Sequence, residues 1–219
     1  MKMNLSSILA SILLVAIQVH AKPKPAATPA KAPAAKVPAK PLPPPIVRGK
    51  FTDSRNSKTY ATVVVGKQTW MSQNLDFMTN GSTCYENRKK NCDELGRLYE
   101  WEAAKTACPS GWHLPSEDEW DILETAAGGP DSAGMNLKTT TGWEQNGNGT
   151  NLKGFDAIAS GHADKTGIHS QRGTSAAYWT SSSKLGGGAW FRQLGSDDKR
   201  LVHEKGEKNT GLSVRCVKD

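Results

Sequence analysis

Residues 108–120 read CPSGWHLPSEDEW, and they hold the end of one predicted helix and the start of the next. The Pro-Ser-Gly of residues 109–111 stops the first helix, because proline cannot continue it and glycine is common after a helix end. Ser116 and Glu119 then have the spacing of a capping box, in which each side chain satisfies a free amide of the first turn. This stretch therefore predicts two consecutive helices joined by a short connection.

The two helices are predicted from apolar residues at helical spacing. The first covers residues 99–107, and the second starts at Ser116 and ends at the Gly-Gly-Pro of residues 128–130. The buried stripes are Trp101, Ala104 and Cys108 in the first helix, and Trp120, Leu123 and Ala127 in the second.

Strand patterns lie on both sides of the helices. Residues 60–65 and 68–71 flank Gly66 and predict a hairpin, since glycine at the first turn position suits a type II′ turn. Further strands are predicted at residues 51–52, 176–181, 189–194, 199–203 and 213–217. Residues 131–174 are rich in Gly, Asn, Thr and Ser and indicate a long irregular loop. The prediction is an α+β domain with two helices, short antiparallel strands and a long irregular region.

Charge is unevenly distributed along the 219 residues. The formal charge is +7, and six lysines with no Asp or Glu lie in residues 1–45, which leaves +1 for residues 46–219. A domain this close to neutral gives no indication of nucleic-acid binding.

The start of the chain has the features of an exported protein. Residues 1–21 resemble a secretory signal peptide, with Lys2, an apolar run at residues 8–17, and small residues before a cleavage point after Ala21. That run is too short to cross a bilayer, so no transmembrane segment is expected after cleavage. Residues 22–47 form a Pro/Ala/Lys-rich linker that we expect to be disordered. We expect a domain at residues 48–219, located at the cell surface, in the periplasm or outside the cell.

Four cysteines lie in the predicted domain, at positions 84, 92, 108 and 216. An even number in an exported chain indicates two disulfides, with three possible pairings. Their spacing does not match a zinc site.

Several polar clusters are better explained by local structure than by chemistry. His162, Asp164 and His169 lack a third strong metal ligand, and the glycines at 186–188 are not followed by the Lys-Ser/Thr of a phosphate loop. The acidic residues 117–119 suit a helix start, and residues 146–151 lack the carboxylates of a calcium loop. No metal, cofactor or catalytic residue is predicted.

Tryptophans are the best candidates for ligand contact. Trp143, Trp179 and Trp190 belong to the loop-and-strand half of the domain, and exposed tryptophan stacks on sugars and anchors protein interfaces. All three are candidate ligand contacts, and a place in the core is the alternative for each.

Seven segments together resemble one known family. They are TWMSQNL (residues 69–75), GRLYEW (96–101), CPSGWHLPS (108–116), EW (119–120), NLKGF (151–155), YWTSS (178–182) and SVRCVKD (213–219). This series resembles the Fibrobacter succinogenes major paralogous (FISUMP) domain, a family of exported bacterial proteins of undetermined activity. The resemblance covers nearly all of residues 51–219.

The resemblance implies a fold related to the C-type lectins and, more distantly, to formylglycine-generating enzymes. Neither function transfers, because the Glu-Pro-Asn or Gln-Pro-Asp triplet of calcium-dependent lectins is missing and no reactive cysteine pair is evident. The position of Cys108 and Cys216 within family segments implies that they pair, which leaves Cys84 with Cys92. A Cys92–Cys108 pairing is the rival.

The expected function is a non-catalytic binding or adhesion module. Its ligand would be a polysaccharide or cell-envelope polymer, or a protein partner. The alternatives are an enzyme distantly like formylglycine-generating enzymes and a purely structural envelope protein.

Overall fold

Thirteen short strands and four helices follow one another in the computed structural model, which describes residues 45–184 and 186–219. The strands are β1 (Val47–Asp53), β2 (Lys58–Val65), β3 (Gln68–Met71), β4 (Ser82–Thr83), β5 (Leu98–Tyr99), β6 (Trp112–His113), β7 (Ser160–Ala163), β8 (His169–Arg172), β9 (Ser175–Lys184), β10 (Gly188–Gly195), β11 (Val202–Glu207), β12 (Leu212–Ser213) and β13 (Val217–Lys218). The helices are α1 (Lys89–Leu95), α2 (Trp101–Ala107), α3 (Glu117–Ala126) and α4 (Ala133–Leu137), and a 3₁₀ turn covers Tyr85–Asn87. The predicted signal peptide (1–21) and nearly all of the predicted linker (22–47) lie outside the described residues.

The strands form two sheets. The first has the order β1-β2-β3-β13-β6, and the second has the order β11-β10-β9-β12-β5-β4 with β7 beside β9 and β8 beside β7. Most pairs are antiparallel, and β12 and β7 each run parallel to β9. The architecture is α+β, as predicted, with more sheet than helix.

The two predicted helices are present as α2 and α3. Ser116 Oγ accepts a hydrogen bond from the Glu119 amide, and Glu119 Oε2 accepts one from the Ser116 amide at 2.8 Å, so the capping box is confirmed. Helices α1 and α4 were not predicted, because α1 buries only Asn91 and Cys92 and α4 has five residues. Among the described residues, no helix is long and apolar enough to cross a membrane.

The predicted hairpin is confirmed as β2 and β3, and Gly66 has the positive φ (62°) that a type II′ turn requires. The strand predicted at 199–203 was misplaced. Arg200 instead donates from its amide and guanidinium to the Asp198 carboxylate, and this turn delays the strand, which is β11.

The C-terminal strand prediction was wrong in a different way. Residues 213–217 do not form one strand: β12 belongs to the second sheet and β13 to the first, with Val214, Arg215 and Cys216 between them, all fully buried. The predicted loop at residues 131–174 also contains α4, β7 and β8.

Two clusters of buried side chains form the core. In the first, the ring centroids of Trp70 and Trp120 are 4.8 Å apart and those of Trp120 and Tyr178 are 5.6 Å apart. The second contains Tyr60, Trp101 and Trp179, among others.

Both implied disulfides are present, and they use all four cysteines. Cys108–Cys216 joins the end of α2 to the residue before β13, across 108 residues of chain. Cys84–Cys92 joins the start of the 3₁₀ turn to α1. The rival Cys92–Cys108 pairing is excluded.

His113 connects three elements of the fold. Its Nδ1 lies 2.6 Å from Asp219 Oδ1, beside β13, and its Nε2 lies 2.7 Å from Glu119 Oε1, in α3. Burial alone would lower the pKa of His113, but the hydrogen bonds to Asp219 and Glu119 raise it above its ordinary value of 6.5. Both ring nitrogens donate when the imidazole is protonated.

The fold should therefore lose stability as the solution becomes alkaline. Because the pKa of His113 is raised in the folded state, its contribution is fully present below pH 6.5 and disappears as pH rises through the raised pKa. Denaturant unfolding of the parent and of His113→Gln between pH 6 and pH 9 measures this. The parent should be more stable at pH 6 by less than about 1 kcal/mol, since these are partly exposed pairs, and the two curves should converge at alkaline pH. A constant difference across the range would contradict this role.

Candidate functional site

A cleft with a volume of about 360 Å³ opens between β2, the end of α1 and the segment that joins β12 to β13. We call it the Arg215 cleft. Its lining comes from distant parts of the chain, chiefly residues 72–74, residues 93–96, Asp156, Ile158 and Arg215.

Arg215 lies in the floor of this cleft and is fully buried. Its Nε donates to Asn74 Oδ1 at 2.7 Å, Nη1 to the Phe155 carbonyl at 2.5 Å, and Nη2 to the Asp156 carbonyl at 2.9 Å. Burial lowers the pKa of Arg215, and the nearby Tyr178 and Asp156 oppose this shift. Carbonyl and amide oxygens thus hold the cation in place, so the guanidinium fixes the positions of the segments around it.

Asn74 links Arg215 to the wall of the cleft. Its amide nitrogen donates to the Leu95 carbonyl at 2.8 Å and to Ser213 Oγ at 3.3 Å. Gly96 packs against it so closely that a Cβ there would lie 2.5 Å from Asn74 Cβ, and its φ is +76°. Only glycine fits this approach without a shift of the backbone.

The carboxylates around the cleft are neutralised by cations, whereas Arg215 in the floor is held by uncharged oxygens. Each of three carboxylates is paired with a cation: Asp93 with Lys89 (2.8 Å), Glu94 with Arg172 (3.3 Å), and Asp156 with Arg48 (2.6 Å). The hydrogen bond from Lys89 lowers the pKa of Asp93, so that carboxylate is ionised near neutral pH. An uncharged ligand rich in hydroxyl groups is the chemistry that paired carboxylates and amides suit.

Gln73 stands exposed at the rim. Its Oε1 accepts a hydrogen bond from the Ala61 amide at 2.8 Å, which fixes the orientation of the side-chain amide. Leu95 and Ile158, both half-buried, supply an apolar part of the wall.

A second cleft continues from the first. It has a volume of about 520 Å³ and shares Glu94, Leu95 and Ile158 with the Arg215 cleft. Arg172 and Glu144 line its far part. We call the two clefts together the groove, and two adjoining clefts offer room for successive units of a chain-like ligand.

The comparison with known families bears on this geometry. The sequence model of the Fibrobacter succinogenes major domain matches residues 63–218. This chain belongs to that family. No curated protein and no solved structure gave a match.

Three of the segments that carry the FISUMP resemblance line the Arg215 cleft. The first segment contributes residues 72–74, the second contributes Gly96, and the last contributes Arg215. The segment NLKGF leads directly into Asp156. Most of the lining therefore lies within the matched residues 63–218.

Two of the three predicted tryptophan contacts lie in the core of the FISUMP domain. Trp143 is 5% exposed and Trp179 is 0% exposed, so neither presents a face on which a sugar could stack, and we withdraw both. Trp143 Nε1 donates to the Ala157 carbonyl at 3.0 Å and to Thr139 Oγ1 at 3.1 Å. Thr139 lines the Arg215 cleft, so Trp143 contacts a wall residue of the groove through this hydrogen bond but does not itself line the groove.

Trp190 is half-buried and does not line the groove. Its ring centroid lies 4.2 Å from that of His203, whose Nε2 is 2.5 Å from Glu117 Oε2. The buried Arg192 also binds Glu117, at 3.2 Å. A role for Trp190 in ligand contact stays a prediction.

The remaining polar clusters have structural places. His162 pairs with Ser170 and Ala163 pairs with His169 in the β7–β8 ladder, so the two histidines point to opposite faces. Asp164 Oδ1 accepts hydrogen bonds in the turn between them, from Thr166 and Ile168. In the part of the chain described, no three His, Cys, Asp or Glu side chains are grouped to hold a metal.

Sequence reasoning missed the residues of the groove. No sequence pattern marks the residues of the groove as a site; they are Gln73, Asp93, Glu94, Asp156 and Arg215. The sequence pointed to them only indirectly, because Gln73 and Arg215 lie inside segments that carry the family resemblance and Asp156 follows such a segment.

Proposed function

We propose that this FISUMP domain is an exported, non-catalytic binding module that holds an uncharged polysaccharide chain in the groove. The observation that supports this most is the meeting of three family segments in the lining of the Arg215 cleft, with a fourth bonded to Arg215 through the Phe155 carbonyl. A cleft assembled from the segments common to a family is a better candidate for its shared task than a surface outside them.

The chemistry of the groove supports a hydroxyl-rich ligand. Carboxylates of Asp93 and Glu94 accept hydrogen bonds, and the amide of Gln73 can donate them. Leu95 and Ile158 offer contact to the C–H faces of a sugar ring. The cation partners of the carboxylates leave little net charge to select an ionic ligand.

We further propose export and a relationship to the C-type-lectin-like fold. Two disulfides support an oxidising compartment. The mixed architecture and the disulfide from α2 to the last strand support the relationship.

Binding of soluble neutral polysaccharides, measured by affinity electrophoresis and calorimetry on the purified protein, tests the proposal. Gln73→Ala and Glu94→Gln should each weaken binding about 3- to 10-fold, because each removes hydrogen bonds worth about 0.5–1.5 kcal/mol. Asp118→Asn is the matched control: it removes an exposed carboxylate of α3 that does not line the groove.

Three outcomes would contradict the proposal. Binding that survives both groove variants but is lost in Trp190→Ala would move the site to β10. Release of shortened sugar products would show an enzyme. Absence of binding to every polymer would favour a structural role.

A further inference from the structure

A strongly charged surface lies beside the Cys84–Cys92 disulfide. Arg88, Lys89 and Lys90 follow one another at the start of α1, and their side chains are 74%, 86% and 84% exposed. We call these three residues the basic tip. The disulfide closes the loop that carries it, so the three cations are held on a fixed support.

Helix stability does not account for this arrangement. The ion pairs Lys89–Asp93 and Lys90–Glu94 place the cation four residues before the acid. That order is the weaker one for a helix, and it puts cations at the end that favours anions. Arg88 is likewise paired with Glu86, at 3.3 Å, so each cation of the basic tip has an acidic partner. All three pairs are exposed, so a partner with several negative charges can replace them.

An apolar cleft adjoins the basic tip. It has a volume of about 540 Å³, and its lining includes Phe77, Met78, Cys84, Lys89 and Cys92. Met78 is 74% exposed, the highest value among the large apolar side chains described. The Arg55 guanidinium covers the Phe77 ring at 3.7 Å. The surface thus combines exposed cations with an exposed apolar side chain.

We propose that the basic tip and this apolar cleft bind the anionic phospholipids of a membrane surface. Each exposed Lys or Arg near such a surface is attracted to the phosphates, and an apolar side chain can enter the boundary with the acyl chains. An acidic polysaccharide would match the cations but would leave Met78 without a role. This inference does not depend on the proposed function of the groove.

Vesicle flotation tests the proposal. The background protein carries Gln in place of the five lysines of residues 22–40, so that the domain alone is measured. It should bind vesicles of phosphatidylglycerol and phosphatidylcholine and not vesicles of phosphatidylcholine alone. Replacing Arg88, Lys89 and Lys90 with Ala should lower the partition coefficient on the order of 100-fold.

Three further variants sharpen the result. Replacing Lys50, Lys67 and Lys199 with Ala removes the same charge from exposed sites elsewhere and should change binding little. Asp93→Asn frees Lys89 and should raise binding, and Met78→Ser should lower it even at high salt.

Certain results would overturn the inference. One is equal binding to neutral and anionic vesicles. Another is an equal loss of vesicle binding in the two triple variants. A third is an unchanged vesicle affinity in Met78→Ser together with equal binding to a soluble acidic polysaccharide. Thermal unfolding of every variant shows that the comparisons are made between folded proteins.

Discussion

Replacing Arg215 with methionine is expected to remove a large part of the stability of the domain. The change leaves four acceptors without their donor: Asn74 Oδ1 and the carbonyls of Met71, Phe155 and Asp156. Each buried acceptor left unpaired costs about 1–3 kcal/mol, so we expect a loss of at least about 4 kcal/mol. The total free energy of unfolding of a domain is typically only about 5–15 kcal/mol.

Denaturant unfolding followed by tryptophan fluorescence measures this loss. Arg200→Met is the matched control, because Arg200 is 62% exposed and its pair with Asp198 should contribute little to stability. Arg215→Lys keeps the charge and loses the branched donor set, so it should fall between the parent and Arg215→Met. Equal stability of Arg215→Met and Arg200→Met would show that the buried hydrogen bonds contribute little.

The second large effect is expected on removal of the Cys108–Cys216 disulfide. In a chain-entropy account, a closed loop of about 100 residues contributes about 4.7 kcal/mol, and the loop here has a separation of 108 residues. The Cys108→Ser/Cys216→Ser double variant should therefore unfold at a much lower denaturant concentration than the parent.

The other disulfide provides the control for this variant. Cys84 and Cys92 are separated by eight positions, and a loop this short should contribute about 2–3 kcal/mol. Cys84→Ser/Cys92→Ser should thus be the less destabilised protein. The reverse order would show that loop length does not govern the two contributions here.

Local patterns account for the parts of the fold that the sequence predicted correctly. Three features show this: the capping box of α3, the apolar stripe of α2 and the turn glycine of the β2–β3 hairpin. Each of them is formed by residues only a few positions apart in the sequence. The disulfide pairing was available only through the family resemblance, because spacing alone left three possibilities.

The groove could not be predicted because contacts between distant residues build it. Asn74 and Arg215 are 141 positions apart, and nothing near either residue indicates the other. The ligand-contact prediction for Trp143 was wrong for a related reason. Residues 131–174 resemble a solvated loop by composition, yet they fold onto the core and bury Trp143 and Phe155.

The division of the last strand between two sheets has a consequence for biosynthesis. Residues 212–218 supply β12 to one sheet and β13 to the other, and their partners β3, β5 and β9 come from far earlier in the chain. Neither sheet is complete until this segment arrives, so we expect folding to depend on late, non-local contacts and to be slow. A nascent chain that cannot fold early remains unfolded during synthesis, which is the state that the export proposed above would require.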